Sequence, residues 1–469
     1  MIRDNGSSNS QHDVLLICHA AISRHLSGPG VRYWELARAL SAYPSLQVTL
    51  AAVPGMVVEA PEDSLPLRLL TTHDEAELAT LASQADAVVT VGSVHSFYPA
   101  LQQIKTPLVV DLYIPLLLEE LQRERPQSLA EQSLFFDRLR RDFSTQILAA
   151  DFILCASEKQ RDYYLGAMSA LGRVNPYSHG DDPSLRRLIA VVPFGLPPEP
   201  PRHTRQVLRG VYPGIGPNDK VLFWGGGIWD WLDAPTLVRA MARLTERRPD
   251  VKLFFMGARH PNPQERERKG LRETIGLSRE LGLDGRAVFF NDWVPYTERE
   301  NYLLEADVGV SLHRDHLETH FAFRTRFLDC LWAGLPIIAT RGDVISDQVK
   351  AHDLGRVVEP GDVDGVAEAI VSLLDTPNLR ETYRPRCEKV AAAYRWDVVA
   401  RPLAEFCMSP HPAPDKAYLQ ETMGLEGGPT PWWHLPGKAW RALRIGGIRG
   451  LAHQIDDYRR WLAVRRGRA

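Results

Sequence analysis

The sequence predicts an α/β protein with two doubly wound parallel-sheet domains facing a cleft, followed by a C-terminal helical tail. Three observations predict it. Short apolar runs of strand length alternate with helical stretches from residue 14 to about residue 195, the pattern of a parallel sheet. Leu196–Arg202, LPPEPPR, then reads as a semi-rigid linker because of its four prolines. After it the alternation restarts at Val221 and runs to about residue 375.

The totals agree. A chain of 469 residues exceeds a single core, so two domains with extras are expected. Hydrophobic content of 44% with 24% charged residues is a globular composition. A net charge of −3 gives the whole molecule no electrostatic footprint for nucleic acid. The five cysteines are scattered, without a CxxC pair, and read as small buried hydrophobes in a reducing compartment. The polar start MIRDNGSSNSQHD has no apolar core of a signal peptide. No apolar run approaches the roughly 18 residues of a membrane span. A cytoplasmic location is expected, at the inner face of a membrane if the basic tail described below meets one.

Residues 1–12 are expected to be a flexible lead-in, and 13–198 the first domain. Val14–Cys18 is a strand. His19–Gly30 is a loop ending Gly28-Pro29-Gly30, and Val31–Ala42 a helix. Gln47–Val53, Ala85–Val91, Pro107–Leu112, Asp151–Cys155 and Ile189–Pro193 are further strands. Glu119–Ala149 is charged and helical with a break at Pro126, and Ser157 is the natural N-cap of a helix to Ala170. Gly28 and Gly30 allow close backbone approach at a helix start. Arg32 adds a cation in its first turn, or is solvated or salt-bridged. His19, Arg24 and His25 share the loop and suit acceptor contact; Ser157, Glu158 and Arg161 are weaker candidates.

The linker is placed at 199–205 and the second domain at 206–395. Val221–Met241, VLFWGGGIWDWLDAPTLVRAM, runs strand, Gly225-Gly226-Gly227, then Asp233 and Pro235 as a helix-start signal. Backbone N–H groups and a helix dipole in this order can meet a phosphate; a tight turn with a capped helix is the alternative. It is neither a dinucleotide fingerprint nor a P-loop, because the spacing differs and no Lys follows. Strands follow at Val251–Met256, Ala287–Phe290, Val308–Leu312, Pro336–Thr340 and Gly355–Val358, with helices at 297–305, about 324–333 and 362–375. After Leu312 comes a polar loop with His313, Arg314, Asp315, His316, Glu318 and His320. The next helix starts near Phe323 or Arg324 and stops at Gly334. Arg324 and Arg326 sit at its mouth, where two guanidiniums suit a diphosphate. Asp329, one turn on, suits ribose hydroxyls. The histidine spacing matches no strong zinc pattern, so no metal is expected.

Residues 396–410 are expected to return as a helix to the first domain, and 411–469 to form a basic amphipathic tail. From Lys438 to Ala469 nine cations face two carboxylates, a net charge of +7, with Trp440, Trp461 and several Leu and Ile on an apolar side. That pattern suits a membrane surface, or a helix packed on the enzyme body with a solvated basic face.

Residues 14–410 resemble a retaining glycosyltransferase of the GT-B fold, similar to glycosyltransferase family four. The resemblance is carried by HAAISRHLSGPGVRYWELARAL, VVPFGLP, FWGGGIWDW, VFFNDWVPYTERENYLLEADVGVSLH and LDCLWAGLPIIAT. It implies a nucleoside-diphosphate sugar donor on the second domain, an acceptor on the first, and retention. The family's two glutamates, with seven residues between them, fall at Phe321 and Asp329. The second keeps its acid; the first is lost, with Glu318 or His320 the nearest substitute. The Arg and Lys usual after the opening strand are replaced near Gly226 and Leu232. The family's His at the end of the strand Leu108–Leu112 is Asp111 here, expected to bind a sugar hydroxyl or orient the acceptor, or simply to close the strand. Asn291–Tyr296 matches the place of the nucleotide base, lined by Trp293 or Val294.

The expected function is transfer of a sugar to a hydroxyl of an envelope or cell-surface glycan or a lipid-linked precursor, without a cofactor or metal. Asp111, Glu318 and His320 are the catalytic candidates. Gly225, Gly226, Gly227, Trp293, Val294, Arg324, Arg326 and Asp329 are the donor-side candidates, and Gly28, Gly30, Arg32 and His19 the acceptor-side ones. Two alternatives stay open: a GT-B-like nucleotide-sugar epimerase, and a non-catalytic homologue.

Overall fold

In the computed structural model, residues 11–52, 67–71, 74–92, 94, 98–125, 127–259 and 268–423 are described. The tail at 438–469 lies outside them. Two parallel sheets form the frame. The first carries β1 (His12–Cys18), β2 (Leu46–Ala52), β3 (Leu67–Thr71), β4 (Ala87–Val91), β5 (Leu108–Asp111), β6 (Phe152–Cys155) and β7 (Ile189–Val191) in the order β3-β2-β1-β4-β5-β6-β7. The second carries β8 (Lys220–Trp224), β9 (Val251–Phe255), β10 (Val288–Phe290), β11 (Val308–Ser311), β12 (Ile337–Thr340) and β13 (Gly355–Val358) in the order β10-β9-β8-β11-β12-β13.

The helices that bear on the site are α1 (Gly28–Ser41), α2 (Glu75–Gln84), α3 (Leu116–Gln122), α4 (Leu129–Ala149), α5 (Glu158–Ala170) and α6 (Pro176–Asp181) in the first half. The second half has α7 (Ala234–Leu244), α8 (Lys269–Glu280), α9 (Arg299–Glu305), α10 (Leu317–Phe321), α11 (Arg326–Ala333), α12 (Val344–Ala351), α13 (Val363–Leu374) and α14 (Leu379–Ala391). α15 (Trp396–Val399), α16 (Arg401–Met408) and α17 (Lys416–Met423) close the described chain.

Helices on both faces bury the central stretches of these sheets, which is why VLLIC, LVV, FILC and VLFW read as unbroken apolar runs. Strand order reverses between β1 and β4, and again between β8 and β11. Such switch points open crevices at the carboxyl ends of the strands. Here the two crevices face one another.

Two expectations change. α1 begins at Gly28, so Gly28, Pro29 and Gly30 form its first turn rather than a preceding loop. Pro29 fits because a first-turn N–H has no helical partner to lose. The polar loop after β11 contains α10, capped by the His316 side chain accepting from Thr319 N. α11 therefore starts at Arg326, two residues later than the sequence suggests, and Arg324 lies outside it. Its end at Gly334, with φ of 68°, is as expected.

The chain crosses between the sheets twice, side by side. Leu196 N donates to Tyr394 O at 2.7 Å, and Trp396 N to Leu196 O at 2.9 Å. Gly195 is required here, because a Cβ would lie 2.5 Å from the Trp396 ring. Beyond 395 the chain packs on the first sheet: Phe406 stacks on Phe152 at 4.9 Å, and Asp415 pairs with buried Arg173 at 2.9 Å.

Candidate functional site

The facing strand ends enclose a cavity of about 1130 Å³. On the first side the loop after β1 supplies His19. Burial pushes its imidazole down to about 4, so it is neutral, and its Nδ1 has no hydrogen-bond partner. Gly28 also lines the cavity. Gly30 does not; a Cβ there would sit 2.7 Å from Ala21 O, so this glycine seats α1 against the loop.

Arg32 and Asp111 behave differently from their expected roles. Arg32 Nε and Nη2 donate to the two Asp111 oxygens at 2.6 and 2.8 Å. The same guanidinium reaches Val192 O at 2.9 Å and Pro193 O at 3.1 Å, and lies over the Tyr113 and Phe194 rings. Both residues are at most 1% exposed. Arg32 does not line the cavity, and Asp111, although on its wall, has both oxygens engaged. The pair ties α1, β5 and the β7 end together: of the sequence's alternatives, Arg32 takes the salt-bridged one, and Asp111 closes its strand with both oxygens on Arg32.

On the second side, Gly225, Gly226 and Gly227 follow β8 directly into the cavity. Gly226 has a φ of 74°, which an L side chain resists. Asp233 caps α7 by accepting from Thr236 N at 3.3 Å. Against the glycines lies Arg326. Its Nη2 donates to Gly227 O at 3.1 Å, its guanidinium covers the Trp224 ring at 4.9 Å, and its Nη1 is buried without a partner. No carboxylate pairs with it among the described residues. Burial, with Arg324 nearby, pushes its pKa down to about 9. A cation without a carboxylate in a part-buried setting is costly, and this one lies against the Gly227 carbonyl in the cleft.

Arg324 is spent elsewhere. Its two terminal nitrogens donate to Glu318 at 2.9 and 2.6 Å, with His316 3.6 Å from the same carboxylate. Neither Arg324 nor Glu318 lines the cavity. His320 is exposed, edge-on to Phe321, and outside the cavity as well. Arg324, expected at the diphosphate, and Glu318 and His320, expected at the sugar, thus sit on or beside the α10 turn and do not line the cavity. His313 lies 3.7 Å from Asp343, and burial pushes it down to about 3. Among the described residues no group of three His, Cys, Asp or Glu is arranged to hold a metal ion.

Asp329 lines the cavity beside Arg299, at 3.3 Å; that guanidinium packs over the Tyr296 and Trp332 rings. Trp293 and Val294 line it too. Trp293 covers Gly257, where a Cβ would meet its ring at 3.1 Å, and its Nε1 donates to Leu26 O across the cleft at 3.0 Å. Tyr296 also crosses, its hydroxyl on Glu35 at 2.8 Å.

The Trp229-Asp230-Trp231 segment, which the sequence leaves open between wall of the cleft and simple packing, puts both tryptophans on the cavity wall. Trp229 and Trp231 stack with parallel rings 5.4 Å apart; Arg268 covers the first at 5.0 Å and Arg123 of the opposite side the second at 5.8 Å. Glu119 lies on α3, buried on the cavity wall, and burial pushes its carboxyl up to about 7. It sat in a charged helical stretch with no signal to separate it from its neighbours.

Residues 218–376 match the family model described as glycosyl transferases group 1. The chain is 27% identical over 164 residues to a phosphatidyl-myo-inositol mannosyltransferase of Mycolicibacterium smegmatis, covering 35% of this chain and 38% of that protein. It is 27% identical over 234 residues to a D-inositol 3-phosphate glycosyltransferase of Corynebacterium urealyticum, covering 49% and 53%. The chain thus spans about half the length or less of these curated relatives. The solved Anabaena protein HepE, in complex with UDP and glucose, superposes with a TM-score of 0.58 over 85% of this chain and all of its own, at 14% identity. The chain has the GT-B fold, and residues 218–376 of its second half are similar to the glycosyl transferases group 1 family.

Proposed function

We propose that this protein transfers a sugar from a nucleoside-diphosphate sugar to a hydroxyl acceptor, with retention of anomeric configuration. The observation that carries the reading is Arg326: a part-buried guanidinium without a carboxylate, seated against Gly225–Gly227 in a large cleft. A diphosphate satisfies both its charge and the open amides. As the glycosidic bond to the donor breaks, negative charge grows on the leaving diphosphate, where the same groups are already oriented. Asp329 suits ribose hydroxyls, and Trp293 and Val294 the base. The Leu26–Trp293 and Glu35–Tyr296 bonds favour a closed cleft, which keeps water from the activated sugar.

Relatives named for inositol-linked acceptors make ring hydroxyls of a cyclitol or sugar the first acceptors to test. A lipid-linked or envelope glycan at the inner face of a membrane fits if residues 438–469 bind that surface. Among the described residues no helix is long and apolar enough to cross a membrane. Deleting residues 430–469 and following the membrane fraction tests the tail.

Thermal-shift screening against UDP-, GDP- and dTDP-sugars tests the donor, since a ligand of the native state raises its stability. One nucleotide sugar should raise the melting temperature of the wild type and not of Arg326→Ala. No shift with any donor, or an equal shift in the variant, removes the diphosphate assignment. Incubation of the donor alone with recovery of an isomerised nucleotide sugar replaces transfer with epimerisation.

A further inference from the structure

Four carboxylates line the cavity among the described residues: Asp111, Glu119, Glu120 and Asp329. Three are committed. Asp111 takes two bonds from Arg32. Asp329 is paired with Arg299. Glu120 takes Arg123 Nε at 3.0 Å and a closer contact from Arg125. Glu119 has one long contact, its Oε1 to Arg123 Nη2 at 3.4 Å. A buried carboxyl on a cavity wall with so little satisfaction is an open acceptor.

Its place in the cleft narrows what it accepts from. α3 packs on α10, the short helix that leads into the Arg324–Arg326 turn. Glu318 and Arg324, on that turn, are among the charges that act on Glu119. Glu119 therefore hangs from the first side over the entry to α11, whose first residue is Arg326. Resting on the diphosphate reading above, a nucleotide sugar has its nucleoside toward Trp293, Val294 and Asp329. Its sugar ring then occupies the stretch of cleft between Gly225–Gly227 and α3. The second side offers that ring no carboxylate, since Glu318 is turned away onto Arg324.

We propose that Glu119 is a specificity residue of the donor site, accepting hydrogen bonds from hydroxyls of the sugar that is transferred. It comes from the opposite side of the cleft, so the sugar is gripped only when the two halves are together. Arg123, held between Glu119 and Glu120 and lying over Trp231, sets the carboxyl's orientation. The ligand class is a nucleoside diphosphate carrying a sugar with free ring hydroxyls.

The test compares nucleotide with nucleotide sugar by titration calorimetry on the full chain: UDP against UDP-glucose, and GDP against GDP-mannose. Wild type, Glu119→Gln and Glu119→Ala are measured, with melting temperatures to establish that each is folded. The expected result is a loss of about tenfold in nucleotide-sugar affinity for Glu119→Ala, where the acceptor is removed, and a smaller one for Glu119→Gln, whose amide oxygen still accepts. Affinity for the bare nucleotide should change less than about twofold. Equal loss of nucleotide and nucleotide sugar, or no loss of either, overturns the assignment of Glu119 alone. A wild type that binds neither nucleotide sugar overturns the donor-site reading and this one with it.

Discussion

Arg32 and Arg326 are the same residue in matching places, one at the strand ends of each sheet, and their surroundings are opposite. Arg32 has four hydrogen bonds, two of them to Asp111, and two aromatic rings. Arg326 has one bond, to a carbonyl, and one ring. The first is complete without a ligand and holds three elements of the fold together. The second leaves a cation exposed to whatever enters the cleft. A charged residue at the end of a parallel strand is therefore not in itself a sign of function; its unfilled partners are.

The largest expected effect separates the two on stability. Arg32→Met leaves Asp111 buried and unpaired and should lower the unfolding free energy by about 3–5 kcal/mol. Replacing both partners, Arg32→Met with Asp111→Leu, should recover more than half of that loss, because no charge is stranded. Chemical unfolding monitored by circular dichroism measures both. A single variant within about 1 kcal/mol of wild type would show that Arg32 is no more structural than Arg326.

The sequence revealed the sheets well and the site unevenly, and the difference is one of range. Strands buried on both faces must be apolar throughout, so β1, β5, β6 and β8 announce themselves locally. β3, LRLLT, carries no such signal, because it is short and at the sheet edge, with Arg68 exposed. Gly225–Gly227 and the Gly334 stop were legible for the same local reason. Arg324 and Arg326 were not separable, since both fit a helix mouth; α10 decides, by presenting Glu318 to one and not to the other. Asp111 could not be recognised as spent without Arg32, 79 residues away. Glu119 became visible only when α3 met α10 across the cleft.

The next effect inverts the first. Arg326→Met removes a part-buried cation without a carboxylate, so stability should stay level or rise by up to about 1 kcal/mol. Affinity for the nucleoside diphosphate should fall by about 100-fold, the size of a lost charge-assisted contact to phosphate.

The smallest effect belongs to a third arginine, Arg272, whose carboxylate pair neither stabilises the fold as that of Arg32 does nor awaits a ligand as Arg326 does. Glu124 and Arg272 meet across the cleft at 3.0 Å, with both side chains about half exposed. Beside them Glu124 N donates to Asp230 at 3.4 Å, and Asp230 accepts from Gly270 N at 2.9 Å. The Trp229-Asp230-Trp231 segment thus gains a structural part: it meets the 123–124 loop of the other side when the cleft is closed. Exposed pairs contribute about 0.2–1 kcal/mol and are screened by salt. Glu124→Gln should therefore weaken nucleotide-sugar binding by no more than about threefold at low salt, and the difference from wild type should disappear near 0.5 M salt, where the Debye length is only a few ångströms. The backbone bond to Asp230 and the buried Trp293 and Tyr296 contacts remain in that variant, so closure should survive. A loss of tenfold or more that persists in high salt would instead put the grip of the closed state on this surface pair, and the contrast between filled and open arginines would no longer explain where the binding energy lies.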